Sequence, residues 1–139
     1  MPEARISRTL DVAPDALWSC VRAFGDLAWL PGDTKMEIRG EGVGQVRIIT
    51  RPWGTVHERL TAVDDAARTL TYTVDEGMPL PITDYEATIV VDDDGGRGRI
   101  TWSCRFQPDE GVTEDEVAED LRKRYGGAIR AIERHLSSR

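Results

Sequence analysis

From Thr34 onward, apolar side chains recur at every second position across about 70 residues, and a single helical stripe then closes the chain. Six runs carry the period of two: 34–40, 44–51, 55–63, 69–75, 83–92 and 98–107. Short turns rich in Gly, Pro and Asp separate them: Glu41-Gly42-Val43, Pro52-Trp53-Gly54, Asp64-Asp65-Ala66-Ala67, Gly77 to Pro81, and Asp93-Asp94-Gly95-Gly96. Connections this short join antiparallel neighbours, because parallel strands need a long crossover. An earlier run over 4–12, with Ile6, Leu10 and Val12 on one face, adds a seventh strand.

The helices are few. Pro14 suits the first turn of one, in which Leu17, Val21 and Phe24 recur at helical spacing. A second short helical segment is expected around Leu27-Ala28-Trp29-Leu30, stopping at Pro31-Gly32. Near the end, Thr113-Glu114-Asp115-Glu116 has the form of a capping box, with Thr113 as N-cap and Glu116 reaching back. Behind it Val117, Leu121, Tyr125, Ala128, Ile132 and Leu136 step by three and four. A helix running to Ser137 is about 36 Å long at ~1.5 Å per residue. Gly126-Gly127 interrupts its pattern, either for close packing against the sheet or to leave room inside. The expected fold is α+β: a seven-stranded antiparallel sheet curled around a long C-terminal helix, with two short N-terminal helices at one end.

At 139 residues the chain reads as one domain, 1–139, long enough to bury a core. A net charge of -7 argues against nucleic acid or an anionic membrane surface as partner. No apolar run approaches the roughly 20 residues of a spanning helix, and no secretory signal is visible, so a cytoplasmic protein is expected. Cys20 and Cys104 lie far apart and read as buried thiols, not as a disulfide or metal pair. His57 falls on an outward face and His135 at the helix end. Asp92-Asp93-Asp94 lacks the spacing and final Glu of a calcium loop. Gly40-Glu41-Gly42-Val43-Gly44 precedes a strand, not the helix that a phosphate loop requires. No motif for metal or nucleophilic catalysis is present, and no cofactor is expected.

One residue breaks the pattern. In Val56-His57-Glu58-Arg59-Leu60 the alternation puts Glu58 on the face of Val56 and Leu60. A charge on an apolar face is expensive unless it is paired or the face is hollow. An even turn around Trp53-Gly54 predicts Ile49 opposite Glu58, Arg51 opposite Val56 and Arg47 opposite Leu60. Arg47 and Arg51 are then diagonal neighbours of Glu58, within reach of a guanidinium fork. Arg8, on the face of Ile6 and Leu10, is a second anomaly; its stem suits snorkelling out, with an interior charge as the alternative.

These fragments together resemble the START-like, helix-grip superfamily (SRPBCC), which includes polyketide cyclase/dehydratase-like proteins, birch-pollen-allergen-type proteins and plant abscisic acid receptors. The markers are Ala13-Pro14-Asp15-Ala16-Leu17-Trp18, Gly44-Gln45-Val46-Arg47, Glu58-Arg59-Leu60 with Asp64-Asp65, Tyr72, Thr83-Asp84-Tyr85, and Trp102 to Pro108. The resemblance covers nearly the whole chain and implies an apolar cavity between sheet and helix. By similarity to the receptors, Glu58 and Tyr85 match pocket-lining positions and Tyr125 a pocket-facing one. Their mouth loops correspond to Arg51-Pro52-Trp53-Gly54 and Gly77-Met78-Pro79-Leu80-Pro81. The receptors' lysine is replaced by an apolar residue around Leu30 and their gate and latch sequences are absent, so hormone sensing is not implied. The catalytic pattern of the aromatic polyketide cyclases has no close match either.

The expected function is binding of a small, mostly hydrophobic or amphipathic molecule by a monomer or homodimer. Ile49, Val56, Leu60, Tyr72 and Val74 form one stretch of wall; Tyr85, Ala87, Ile89 and Trp102 form the next, and Leu121 and Tyr125 close it from the helix. Glu58 and Arg47 are the polar anchors, and Trp53, Met78 and Leu80 cap the mouth. Glu58 reads as an ion-pair partner of Arg47, a ligand anchor, or a general acid or base. The alternatives are a cofactor-independent cyclase/dehydratase-like enzyme and a protein-interaction module with a filled cavity.

Overall fold

A computed structural model describes residues 1–30 and 32–137. Its elements are β1 (Glu3–Leu10), α1 (Pro14–Arg22), β2 (Lys35–Arg39), β3 (Val46–Arg51), β4 (Gly54–Asp64), β5 (Thr69–Glu76), β6 (Ile82–Asp94), β7 (Arg97–Pro108) and α2 (Glu114–Ser137). The seven strands form one antiparallel sheet in the order β1-β7-β6-β5-β4-β3-β2. Only β1 leaves the chain order; it adds beside β7, with Ile6 opposite Trp102. The inner face carries alternate residues such as Ile100, Trp102, Cys104 and Phe106 of β7, all buried. Against it lies the buried stripe of α2, from Val117 through Leu121, Tyr125 and Ile132 to Leu136.

The ladders carry three register shifts, one of them between His57 and Glu58, and the other two adjust which residues face inward. A bulge between Leu60 and Ala62 shifts the register of β4 against β5, so that Val63, and not Ala62, lies opposite Leu70. In β6 the register slips between Thr83 and Glu86, and Asp84 takes a left-handed φ of 52°. An Asp tolerates that conformation better than most side chains. The bulge turns both Ile82 and Tyr85 toward the core.

The N-terminal region departs from expectation. The helix α1 ends at Arg22, and residues 27–30 form a turn instead of a second helix. The Leu30 amide donates to the Leu27 carbonyl at 2.9 Å, and the Ala28 amide donates to Asp26 Oδ1 at 3.1 Å. Four residues before a proline are too few to repay the cost of helix nucleation, and the residue preceding proline disfavours helical backbone. Pro31, the expected stop, lies outside the described residues. Helix α1 is held to the sheet by polar contacts as well as packing. Asp65, in the β4–β5 turn, accepts from Trp18 Nε1 at 3.1 Å and from Arg22 Nε at 3.0 Å on the same oxygen.

Both interior-facing arginines are in register. Arg8 pairs with Ile100 in the regular ladder and is half-buried, so its position is neither frayed nor bulged. Its guanidinium turns toward α2, where Nη1 donates to the Gly126 carbonyl at 3.5 Å. A Cβ on Gly126 would stand 3.2 Å from Arg8 Nη2 and 3.5 Å from Ile6 Cδ1. Gly126 thus sits where β1 side chains approach the helix closely, and a larger residue there would displace the Arg8 head. Gly127 has no such neighbour; a Cβ there would meet only Arg130 Nη2 of the same helix, 3.8 Å away.

Candidate functional site

The hairpin of β3 and β4 builds the polar centre of the site. Its turn is Pro52-Trp53, with Arg51 opposite Gly54, Ile49 opposite Val56 and Arg47 directly opposite Glu58. The even parity expected from the sequence holds, but the register is two residues tighter. Proline fits the first central position of a two-residue turn, which moves the turn one residue toward the N-terminus. Arg47 is thus the facing partner of Glu58 and not a diagonal one. Its Nε donates to Glu58 Oε1 at 2.7 Å, with side-chain exposures of 8% and 15%. Nη1 donates to the Phe24 carbonyl at 3.1 Å, and the guanidinium lies 3.9 Å from the centre of the Phe24 ring.

An aromatic cluster surrounds this pair. Trp102 Nε1 donates to the Tyr72 hydroxyl at 3.1 Å. The Tyr85 and Tyr125 hydroxyls hydrogen-bond to each other across the gap between β6 and α2. Trp102 stacks on Tyr125 with ring centres 5.0 Å apart and planes 13° from parallel. Burial raises the pKa of Tyr72, Tyr85 and Tyr125 above the ordinary 10.0, and the neighbouring Glu58 charge adds to the shift at Tyr72. All three are neutral phenols at physiological pH, able to donate one hydrogen bond each. Burial also raises the Cys104 thiol. Neither Cys104 nor Cys20 forms a disulfide, and no cluster of metal-ligating side chains exists among the described residues.

These groups border a pocket of about 170 Å³. Of the expected wall, Arg47, Ile49, Val56 and Glu58 line it from the hairpin. Tyr72, Val74, Tyr85 and Trp102 line it from the following strands, and Leu121 and Tyr125 from α2. The expected mouth residues Trp53, Met78 and Leu80 also border it, and Trp53 is exposed at its outer edge. Three expected wall residues do not reach it. Leu60, Ala87 and Ile89 are buried in the solid core, the first two completely. They share the inward face, but Leu60 and Ala87 border no space, and Ile89 borders only a separate gap of about 10 Å³ beside Arg47 and Trp102.

The pocket adds residues absent from the expected wall. Leu27, Trp29 and Leu30 enter because their segment is a turn and not a helix. Arg51 and Pro79 come from the two mouth loops, and Arg124 and Ala128 flank Tyr125 on α2. The i±3 and i±4 spacing about Tyr125 and Leu121 was the available signal for the helix pair. The mouth loop is held by a specific contact. Gly77 has φ 80°, and a Cβ there would fall 2.0 Å from the Thr55 carbonyl oxygen. Only glycine lets this loop lie against the start of β4.

Comparison with known proteins agrees with this architecture. A family model described as polyketide cyclase / dehydrase and lipid transport matches residues 1–137. Among solved structures, XoxI from Bacillus cereus is 25% identical, with a TM-score of 0.83 over 98% of this chain and 96% of that one. Ara h 8.0201 is 24% identical, with a TM-score of 0.81 and coverage of 99% and 98%. Norcoclaurine synthase from Thalictrum flavum, in complex with dopamine and hydroxybenzaldehyde, is 24% identical with a TM-score of 0.78, covering 98% and 86%. No curated protein matches the sequence. Within the described residues no helix is long and apolar enough to cross a membrane. The sheet-and-helix grip, its match to these structures and the family model over 1–137 together make this chain a member of the polyketide cyclase/dehydrase and lipid transport family, within the SRPBCC superfamily.

Proposed function

We propose that the pocket binds one small, mostly apolar molecule carrying one or two polar groups, with Glu58 as the anchor for a hydrogen-bond donor among them. The observation that carries this reading is the Arg47–Glu58 pair. An ion pair needs no pocket, yet this one lines one, beside Tyr72, Tyr85 and Tyr125. Trp102, Tyr125, Leu121 and Val56 supply apolar contact, and the neutral tyrosines supply donors, which is the usual make-up of such sites. The volume sets the scale: a ~150 Å³ apolar cavity admits a benzene ring. One aromatic ring with a short polar substituent is the class of ligand that fits.

Native mass spectrometry with 3-phenylpropan-1-ol tests this. The expected result is a saturable one-to-one complex that Glu58→Gln weakens several-fold. Adducts that do not saturate, or an unchanged affinity in Glu58→Gln, contradict the anchor.

A second reading is favoured by the phenol pair. Tyr85 and Tyr125 hydroxyls stand with Glu58 around one space, so a carboxylate and a neutral donor are available to one substrate. That combination moves a proton from carbon and steadies the resulting enolate without any cofactor, as a cyclisation or dehydration requires. Loss of turnover in both Glu58→Gln and Tyr85→Phe, with ligand affinity retained in the second, distinguishes catalysis from binding.

A further inference from the structure

We infer that the ligand of this pocket is an amphipathic monoanion whose carboxylate is held by Arg51; this rests on the reading of the pocket as a small-molecule site. The argument is one of charge. Four charged side chains border the pocket: Arg47, Arg51, Glu58 and Arg124. Arg47 and Glu58 neutralise each other, and Arg124 is bound to Asp120 on its own helix at 2.7 Å. Among the described residues no carboxylate pairs with Arg51. Its Nε is buried and bonds nothing, one of two such side-chain atoms among the described residues. Buried donors of this kind are normally satisfied, and a guanidinium more strictly than most. In a chain of net charge -7, a half-buried arginine that meets no acid leaves the pocket with an uncompensated positive charge.

Position sets the ligand's orientation. Arg51 ends β3, two residues before the exposed Trp53 at the outer edge, whereas Trp102 and Tyr125 are buried deep in the wall. Nε itself is buried, so an acid group sits toward the mouth on the Nη end of the guanidinium, with the apolar body pointing inward. A planar carboxylate matches that fork through two parallel hydrogen bonds, and ligation leaves the Arg47–Glu58 pair untouched. A cationic ligand finds no net negative charge in the pocket, because Arg47 already neutralises Glu58.

Three probes of matched size test the inference by NMR titration: 3-phenylpropionate, 3-phenylpropionamide and 3-phenylpropylamine. The acid is expected to bind at least about tenfold more tightly than the amide, with the amine weakest. Arg51→Gln is expected to remove the preference for acid while the amide still binds, and Arg51→Lys to keep part of it. Equal affinity for acid and amide, or a preference for the amine, overturns the assignment to Arg51 with the pocket itself intact. Failure of all three probes to move the Trp102 and Tyr125 signals overturns the small-molecule reading, and this inference with it.

Discussion

Glu58 is the residue on which the site turns. Its position among Val56 and Leu60 was legible because strand alternation is strict over three residues. Its partner was legible only in part. Turn parity put Arg47 and Arg51 on the correct face, but nothing in Pro52-Trp53-Gly54 distinguished one two-residue turn from its neighbour, and the choice moved Arg47 from diagonal to opposite. Removing one member of such a pair leaves a buried charge. Glu58→Ala is expected to cost about 3 kcal/mol in urea unfolding, and the double replacement Arg47→Met with Glu58→Leu to recover most of it. A double variant as unstable as the single one contradicts this account of the pair.

The tyrosines make a second prediction at this scale. Their pKa values are raised above 10.0 by burial, so between the unfolded and folded values the native state holds protons that the unfolded chain has lost. Stability from this source is complete below about pH 10 and declines as pH rises beyond it. Alkaline unfolding followed by tyrosinate absorbance should show ionisation and unfolding together. Tyr125→Phe should flatten the decline; a smooth ionisation well before unfolding contradicts the burial argument.

At the scale of elements, strands were more legible than helices or pocket walls. All seven strands and both flanking helices follow from period and turn chemistry, whereas the segment at 27–30 had helical composition but no length. The bulges in β4 and β6 were invisible, because a bulge reverses alternation for reasons of twist that composition does not record. Alternation also states which face a residue occupies, not how deep the opposing helix lies there. Leu60 and Ala87 therefore lie on the expected inward face but away from any space, and Ile89 lies beside a small gap and not the main pocket. The two glycine sites give opposite expectations. Gly127→Ala meets ordinary van der Waals space inside a helix and should stabilise by up to ~1 kcal/mol. Gly77→Ala meets the Thr55 carbonyl at a left-handed φ, and should destabilise by at least about 1 kcal/mol. Urea midpoints for both variants check the pair of signs.

For the whole molecule, the sheet and α2 do more than enclose a core. Most of their interface is filled, and the remaining space lies where Arg47, Glu58 and the aromatic cluster meet the two mouth loops. The central claim is that this space receives a small molecule. Ala128 borders it from α2, is half-buried, and has the side chain most easily enlarged without disturbing the ion pair. Calorimetric titration of 3-phenylpropan-1-ol into the native protein and into Ala128→Phe, with folding of the variant verified by its urea transition, tests the claim most directly. The account predicts saturable one-to-one binding to the native protein and a loss of at least about tenfold in the plugged variant. Equal binding to both, or no binding to the native protein, contradicts it.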